Sequence, residues 1–203
     1  GRGMTLPERI FLVDRRPPLV RAWSEVFASF DWIEPIEGDF FERDADAMLS
    51  PANSFGIMDG GLDAAIRSML GGTIEGEVQA MIVARYHGEL PVGVADLVAT
   101  GHERWPWLVV APTMRVPQNI AQTLNAYLSF RAALLAVVDH NQRTPGAPIR
   151  TLLAPGCGTG IGGMDARRCA AQMRVALDHV RRPPRIPSFA LIHEVHEKMR
   201  TAQ

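Results

Sequence analysis

Apolar residues recur along the chain at two spacings, one of strands and one of helices, and the two alternate. Arg9-Ile10-Phe11-Leu12-Val13-Asp14 is an apolar run of strand character, and Pro17-Pro18 then stops it and opens a helix. Leu19, Val20, Trp23, Val26, Phe27 and Phe30 follow at the spacing of one buried helical face. Trp32 to Ile36 and Ala47 to Ser50 read as strands separated by the polar turn Glu37-Gly38-Asp39. The second leads into Pro51-Ala52-Asn53-Ser54-Phe55-Gly56, then Met58-Asp59-Gly60-Gly61 and a helix carrying Leu62, Ile66 and Met69. The spacing predicts a helix over Ile74 to Tyr86, strands over Val92 to Val98 and Trp107 to Ala111, and a long helix from Pro117 to His140.

After Thr144-Pro145-Gly146-Ala147-Pro148 come a buried-type strand, Ile149 to Ala154, a glycine-rich loop and a helix from Asp165 to Val180. Strands alternating with helices predict an α/β fold with a mixed, largely covered sheet. Past Arg181-Arg182-Pro183-Pro184-Arg185, Ser188 to Arg200 reads as a helix after a cap, with a short strand over Phe189 to Ile192 as the alternative. The expectation is one domain over 1–182 and a C-terminal helical tail over 183–203.

Composition narrows the function. The chain has 203 residues, 47% of them hydrophobic, enough for a full core without disulfides. Its 21 basic and 22 acidic residues sum to −1 and form no single-sign block, which argues against general nucleic-acid binding. Two cysteines, Cys157 and Cys169, exclude a disulfide framework and favour a reducing compartment. The longest apolar stretch, Ala132 to Val138, is far short of the ~20 residues that cross a bilayer. With no charged-then-apolar leader, the expectation is a soluble, cytoplasmic protein without membrane association.

Two glycine-rich loops each follow a strand and precede a helix, the edge of an open α/β sheet where ligands bind. Small residues let backbone approach a ligand closely, and free amides at a helix start favour phosphate oxygens. The second loop contains a literal GxGxxG, Gly158-Thr159-Gly160-Ile161-Gly162-Gly163. A dinucleotide site further needs a first-strand position and an acid closing the next strand about 20 residues on. Asp178 is near that spacing but inside a helix, and the motif follows the last strand, so a nicotinamide enzyme is disfavoured.

Taken together, the ordered set Glu37-Gly38-Asp39-Phe40, Ala47-Met48-Leu49-Ser50-Pro51-Ala52-Asn53, Gly60-Gly61-Leu62-Asp63-Ala64-Ala65-Ile66 and Ala154-Pro155-Gly156-Cys157-Gly158-Thr159-Gly160-Ile161-Gly162-Gly163 resembles the macro domain family, the ADP-ribose-binding modules. The likeness runs from about Arg9 to Val180 and implies a three-layer α/β/α macro-like domain with a mixed central sheet. By that resemblance Asp39 accepts a hydrogen bond from the adenine amino group and Phe40 is the apolar neighbour. Asn53 holds the hydroxyls of the distal ribose, Gly60 and Gly61 pass close to that sugar and the diphosphate, and Gly158, Thr159, Gly160, Ile161, Gly162 and Gly163 surround the diphosphate. Asp63 orients water at the anomeric carbon in the hydrolytic branch, so Asn53 and Asp63 form the implied catalytic pair.

The implied partner is ADP-ribose or an ADP-ribosylated substrate, with no metal or other cofactor. The implied activity is hydrolysis at the distal ribose. The alternatives are a non-catalytic ADP-ribose reader and a structural, virion-assembly-related relative with a vestigial cleft. Three departures stand out: Ser50-Pro51 replaces Asn-Ala and so lacks one polar contact, Gly162 stands where many relatives carry an aromatic residue, and the family's last strand is poorly represented beyond Pro183-Pro184. A neutral protein would hold the dianion with backbone amides and helix dipoles instead of Lys and Arg. Cys157 invites a nucleophile reading but reads better as a small buried residue, and His193, Glu194 and His196 lack the further ligands a zinc site needs.

Overall fold

The structure, a computed structural model, describes residues 5–185 and 188–203; residues 1–4 of the expected domain and 186–187 of the expected tail lie outside the described residues. Strands β1 (Arg9–Asp14), β2 (Ile33–Glu37), β3 (Ala47–Ser50), β4 (Asp96–Ala99), β5 (Trp107–Val110) and β6 (Thr151–Ala154) form one sheet in the order β2-β1-β6-β3-β5-β4. All neighbours are parallel except the β4–β5 pair, so the sheet is mixed. The helices are α1 (Pro17–Val26), α2 (Gly61–Leu70), α3 (Ile74–Tyr86), α4 (Asn125–Arg143), α5 (Ala166–Arg181) and α6 (Phe189–Thr201).

The alternation within β1 explains the layering. Ile10 and Leu12 join a core with Leu19 and Trp23 of α1, Phe130 and Ala133 of α4 and Met173 of α5. Phe11 and Val13 point the other way, into a second core with Ile66 of α2 and Ile74, Val78 and Ile82 of α3. A strand buried on both faces needs helices on both, which is the three-layer α/β/α arrangement.

Several boundaries differ from the sequence reading. Helix α4 begins at Asn125, not Pro117, because side chains hold the preceding segment in turns: Asn119 Oδ1 accepts from the Ala121 amide, and Thr123 Oγ1 donates to the Ile120 carbonyl and accepts from the Asn125 amide. Strand β4 starts at Asp96, not Val92, since Gly93 at φ 104° and a Val94-to-Pro91 hydrogen bond make a turn there. Helix α1 ends at Val26, so Phe27 and Phe30 are buried from the loop beyond it, and Met69 is exposed.

Residues 189–192 are helical, not a strand. Ser188 Oγ accepts from the Leu191 amide and starts α6, which docks on α5 through Gln172 Nε2 to the Met199 carbonyl and Arg168 Nε to the Ala202 carbonyl, both at 3.0 Å. No strand follows α5 among the described residues. Instead β1, the first strand of the chain, lies parallel between β2 and β6 and brings Asp14-Arg15-Arg16 to the edge where β6 ends. Among the described residues no helix is long and apolar enough to cross a membrane.

Candidate functional site

The parallel strands β1, β2, β3, β5 and β6 all end at one edge, and the loops that leave them line a single cleft of about 860 Å³. Both glycine loops are in it, as are Asp39, Phe40, Asn53 and Asp63, so all the residues that the resemblance assigns to the ligand meet here except Gly163, which flanks the lining at the end of its loop. This is the position that ligands favour in open α/β sheets.

In the first loop, Gly60 is the N-cap of α2 and provides no side-chain cap. Among the described residues, the first-turn amides of Gly61, Leu62 and Asp63 find no acceptor, which leaves the helix start open to an anion. Gly61 has a φ of 58°, and a Cβ on Gly60 would meet Ile161 Cδ1 at 3.5 Å, so Ile161 of the second loop lies over this turn. Ile161 is 56% exposed and supplies the apolar side chain above the loop, whereas Gly162, the position compared with an aromatic residue, is buried.

The second loop is folded by its own hydrogen bonds, Gly163 amide to Gly160 carbonyl at 3.1 Å and Met164 amide to Gly158 carbonyl at 3.0 Å. It is also tied to the segment before α4 by the Ile120 amide, which donates to the Gly162 carbonyl at 2.8 Å. Among the described residues the amides of Gly160, Ile161 and Gly162 have no acceptor. The start of α5 does not add to this cradle. Asp165 caps it, accepting from the amides of Arg167 and Arg168, so the donors facing an anion belong to the loop itself.

Asp63 is 7% exposed and its Oδ1 accepts from Ser50 Oγ at 2.6 Å. Burial pushes its carboxyl up to about 6, against the lowering effect of the Ser50 hydrogen bond. Ser50 thus keeps a polar role at a position read as lacking one. Asn53 spends its amide locally: Nδ2 donates to the Ile57 carbonyl at 2.8 Å, and Oδ1 accepts from the amides of Phe55 and Ile57. Asp39 accepts from the Phe41 amide at 2.9 Å with Oδ1, while Oδ2 lies 3.3 Å from Arg15. Phe40 is buried edge-to-face against Phe41.

Sequence reasoning missed the arginines. Arg15, Arg16 and Arg115 all line the cleft. Each has a carboxylate partner: Asp39 for Arg15, Asp14 for Arg16 and Glu89 for Arg115. The cleft thus contains cationic side chains beside the loop amides, and each of them is already paired. The signal was the sequence Asp14-Arg15-Arg16 at the end of a strand, legible only once β1 is placed beside β6.

Cys157 is fully buried, and burial pushes its thiol up to about 12; Cys169 is buried too and raised well above the ordinary thiol range. Burial and the raised thiols both disfavour the thiolate that a nucleophile needs. Ellman's reagent at pH 8 is expected to leave both thiols unmodified in the native protein and to titrate both in denaturant; rapid native labelling would overturn that. No group of three metal-ligating side chains occurs among the described residues, and His193 and His196 lie stacked on α6 with ring centroids 6.4 Å apart.

The family model described as Macro domain matches residues 49–173. An uncharacterized protein of Aquifex aeolicus (strain VF5) is 29% identical over 168 residues, 82% of this chain and 92% of the relative. A macro domain-containing protein in the sno 5' region of Streptomyces nogalater is 30% identical over 115 residues, 56% of this chain and 62% of the relative. Among solved structures, the Oceanobacillus iheyensis macrodomain with ADP has a TM-score of 0.58 at 17% identity, covering 80% of this chain and 86% of that one. Thermosipho africanus DarTG in complex with ADP-ribose has a TM-score of 0.56 at 18% identity, covering 80% and 44%. The sheet, its helical layers and the matched residues agree: this chain belongs to the macro domain family.

Proposed function

We propose that the cleft binds ADP-ribose or a close derivative across the two glycine loops and hydrolyses an ADP-ribosyl linkage at the distal ribose. The observation that carries this reading is the meeting, on one sheet edge, of an uncapped helix start at Gly60-Gly61 with the free amides of Gly160, Ile161 and Gly162. Oriented N–H groups in a cleft whose arginines are already paired suit a diphosphate. The solved relatives with ADP and with ADP-ribose support the same ligand class.

In this reading Asp39 accepts from the adenine amino group and Phe40 lies beside the base. Gly158 to Gly163, with Gly60 and Gly61, hold the diphosphate. Asn53 orients the distal ribose, and Asp63 with the ligand's own phosphate holds water at the anomeric carbon. The water oxygen bonds to that carbon, the bond to the leaving group breaks, and the departing group takes up a proton. Adenosine binding, remote from the reaction, serves to place the reacting carbon. The step as written needs no metal or redox cofactor.

Asn53 favours a second reading, a non-catalytic reader of ADP-ribose, because its local hydrogen bonds leave one N–H for the sugar. Calorimetry with ADP-ribose tests what both readings share. Binding heat is expected from the wild type, and Asp39→Ala is expected to weaken it about tenfold, ~1.4 kcal/mol, the loss of one hydrogen bond to a charged acceptor. Absent heat at millimolar ligand removes both readings and leaves a structural role.

A further inference from the structure

We infer that Arg16 is a positioning residue for the second glycine loop: its guanidinium, oriented by Asp14, grips Thr159 by both carbonyl and hydroxyl and holds the loop amides in place for an anion. The inference deepens the proposed function and depends on it only for the identity of that anion.

Five of the eight residues from Gly156 to Gly163 are glycine, so ordering this loop costs more backbone entropy than ordering most segments. Something must hold it. Arg16 Nη1 donates to the Thr159 carbonyl at 2.9 Å and Nη2 to Thr159 Oγ1 at 2.6 Å, across 143 positions of sequence. The hydroxyl in turn donates to the Gly156 carbonyl at 2.9 Å, so one guanidinium stabilises both ends of the loop's first turn.

The guanidinium is itself fixed. Its Nε and Nη2 reach Asp14 Oδ1 and Oδ2 at 2.9 and 3.0 Å, and the Arg16 amide also donates to Oδ1 at 2.8 Å. Burial raises the Asp14 carboxyl, but the Arg16 side-chain and backbone hydrogen bonds outweigh it and hold the group below the usual carboxylate range. Only a planar fork can meet a carboxylate on one side and a carbonyl and hydroxyl on the other; an ammonium cannot. The grip also engages the Thr159 carbonyl, whose lone pairs would repel a diphosphate if turned toward it.

Three variants test this: Arg16→Gln, Arg16→Lys and Thr159→Val, the last removing only the hydroxyl contact. Amide hydrogen exchange over 156–164 and calorimetry with ADP and ADP-ribose are measured on each, with thermal unfolding to confirm the fold. Both Arg16 variants are expected to speed exchange in the loop, and not in α3, about tenfold and to weaken both nucleotides by a similar factor, with Thr159→Val intermediate. Unchanged loop exchange overturns the inference, even where affinity falls, since Arg16 would then touch the ligand directly. Faster exchange with unaltered affinity overturns it as well. If the wild type binds neither nucleotide, the ADP-ribose reading fails, and loop exchange alone decides the role of Arg16.

Discussion

Asp63→Asn is expected to abolish turnover of an ADP-ribosylated substrate while making the folded protein more stable at neutral pH. Both effects have one cause. The Asp63 carboxyl is buried against Ser50, and burial holds it at about 6, above its ordinary value of 3.8. An acid whose folded-state pKa is raised binds its proton more tightly in the native state than in the unfolded one. Its contribution to stability therefore declines as pH rises from about 3.8 to about 6, and above that the ionised form is a net cost. A shift of this size corresponds to about 2–3 kcal/mol; an amide that keeps the Ser50 hydrogen bond but leaves an N–H to satisfy should recover about 1–2 kcal/mol.

The same carboxylate is the group that would hold water, so hydrolysis by the wild type should fall as pH drops through about 6. Ser50→Ala removes a hydrogen bond that favours the charged form and should move this acid limb to higher pH. Thermal unfolding at pH 7 and a pH–rate profile on ADP-ribosylated protein are the measurements. Wild-type turnover by Asp63→Asn would end the water-holding role, and a variant less stable than the wild type at pH 7 would contradict the cost assigned to the buried charge. A wild type that binds ADP-ribose without turning over any ADP-ribosylated substrate would favour the reader.

Gly162→Ala should damage binding more than its single methyl suggests. A Cβ built on Gly162 falls 2.6 Å from the Gly158 carbonyl oxygen and 2.7 Å from Ile120 Cγ1. The Ile120 side chain can move, but the carbonyl belongs to the loop that cradles the ligand, and it also accepts from the Met164 amide. Relief must come from shifting the loop backbone, at an overpacking cost of about 1–3 kcal/mol. The free amides of Gly160 and Ile161 move with it, so ADP affinity should fall at least about tenfold, with a lower melting temperature. Adding Ile120→Val removes only Cδ1, 3.1 Å from that Cβ, and keeps Cγ1, so it should restore little of the stability or the affinity while the clash with the carbonyl remains. Near wild-type ADP affinity in Gly162→Ala would mean that the second loop does not hold the phosphates.

These residues show which parts of the site could be read before the fold was known. Gly60-Gly61 and the run from Gly156 to Gly163 stood out because glycine between a strand and a helix is a local signal. The Ser50 contact to Asp63 was not legible, since Ser50 was compared with an Asn that it does not resemble in shape, and 13 positions separate the partners. The resemblance gives Asn53 only a ribose contact; its hydrogen bonds to the backbone of Phe55 and Ile57 belong to turn geometry that the resemblance does not show. The start of α4 was misplaced because Ile120 fits a helical face by spacing, yet it is buried beneath Gly158 and Gly162 in a loop whose turns come from Asn119 and Thr123.

Local order is what this sequence determines by itself. The alternation in β1, the helical period of α3 and the glycines at strand ends set the elements and their layers, because a residue's periodicity and backbone preferences depend on near neighbours. Which strands adjoin was decided only in the tertiary structure. Parallel pairing joins segments far apart in the chain and leaves little trace in the sequence of either. The insertion of β1 between β2 and β6 is such a pairing, and it carries Asp14, Arg15 and Arg16 into a cleft that the sequence assigned to two loops alone.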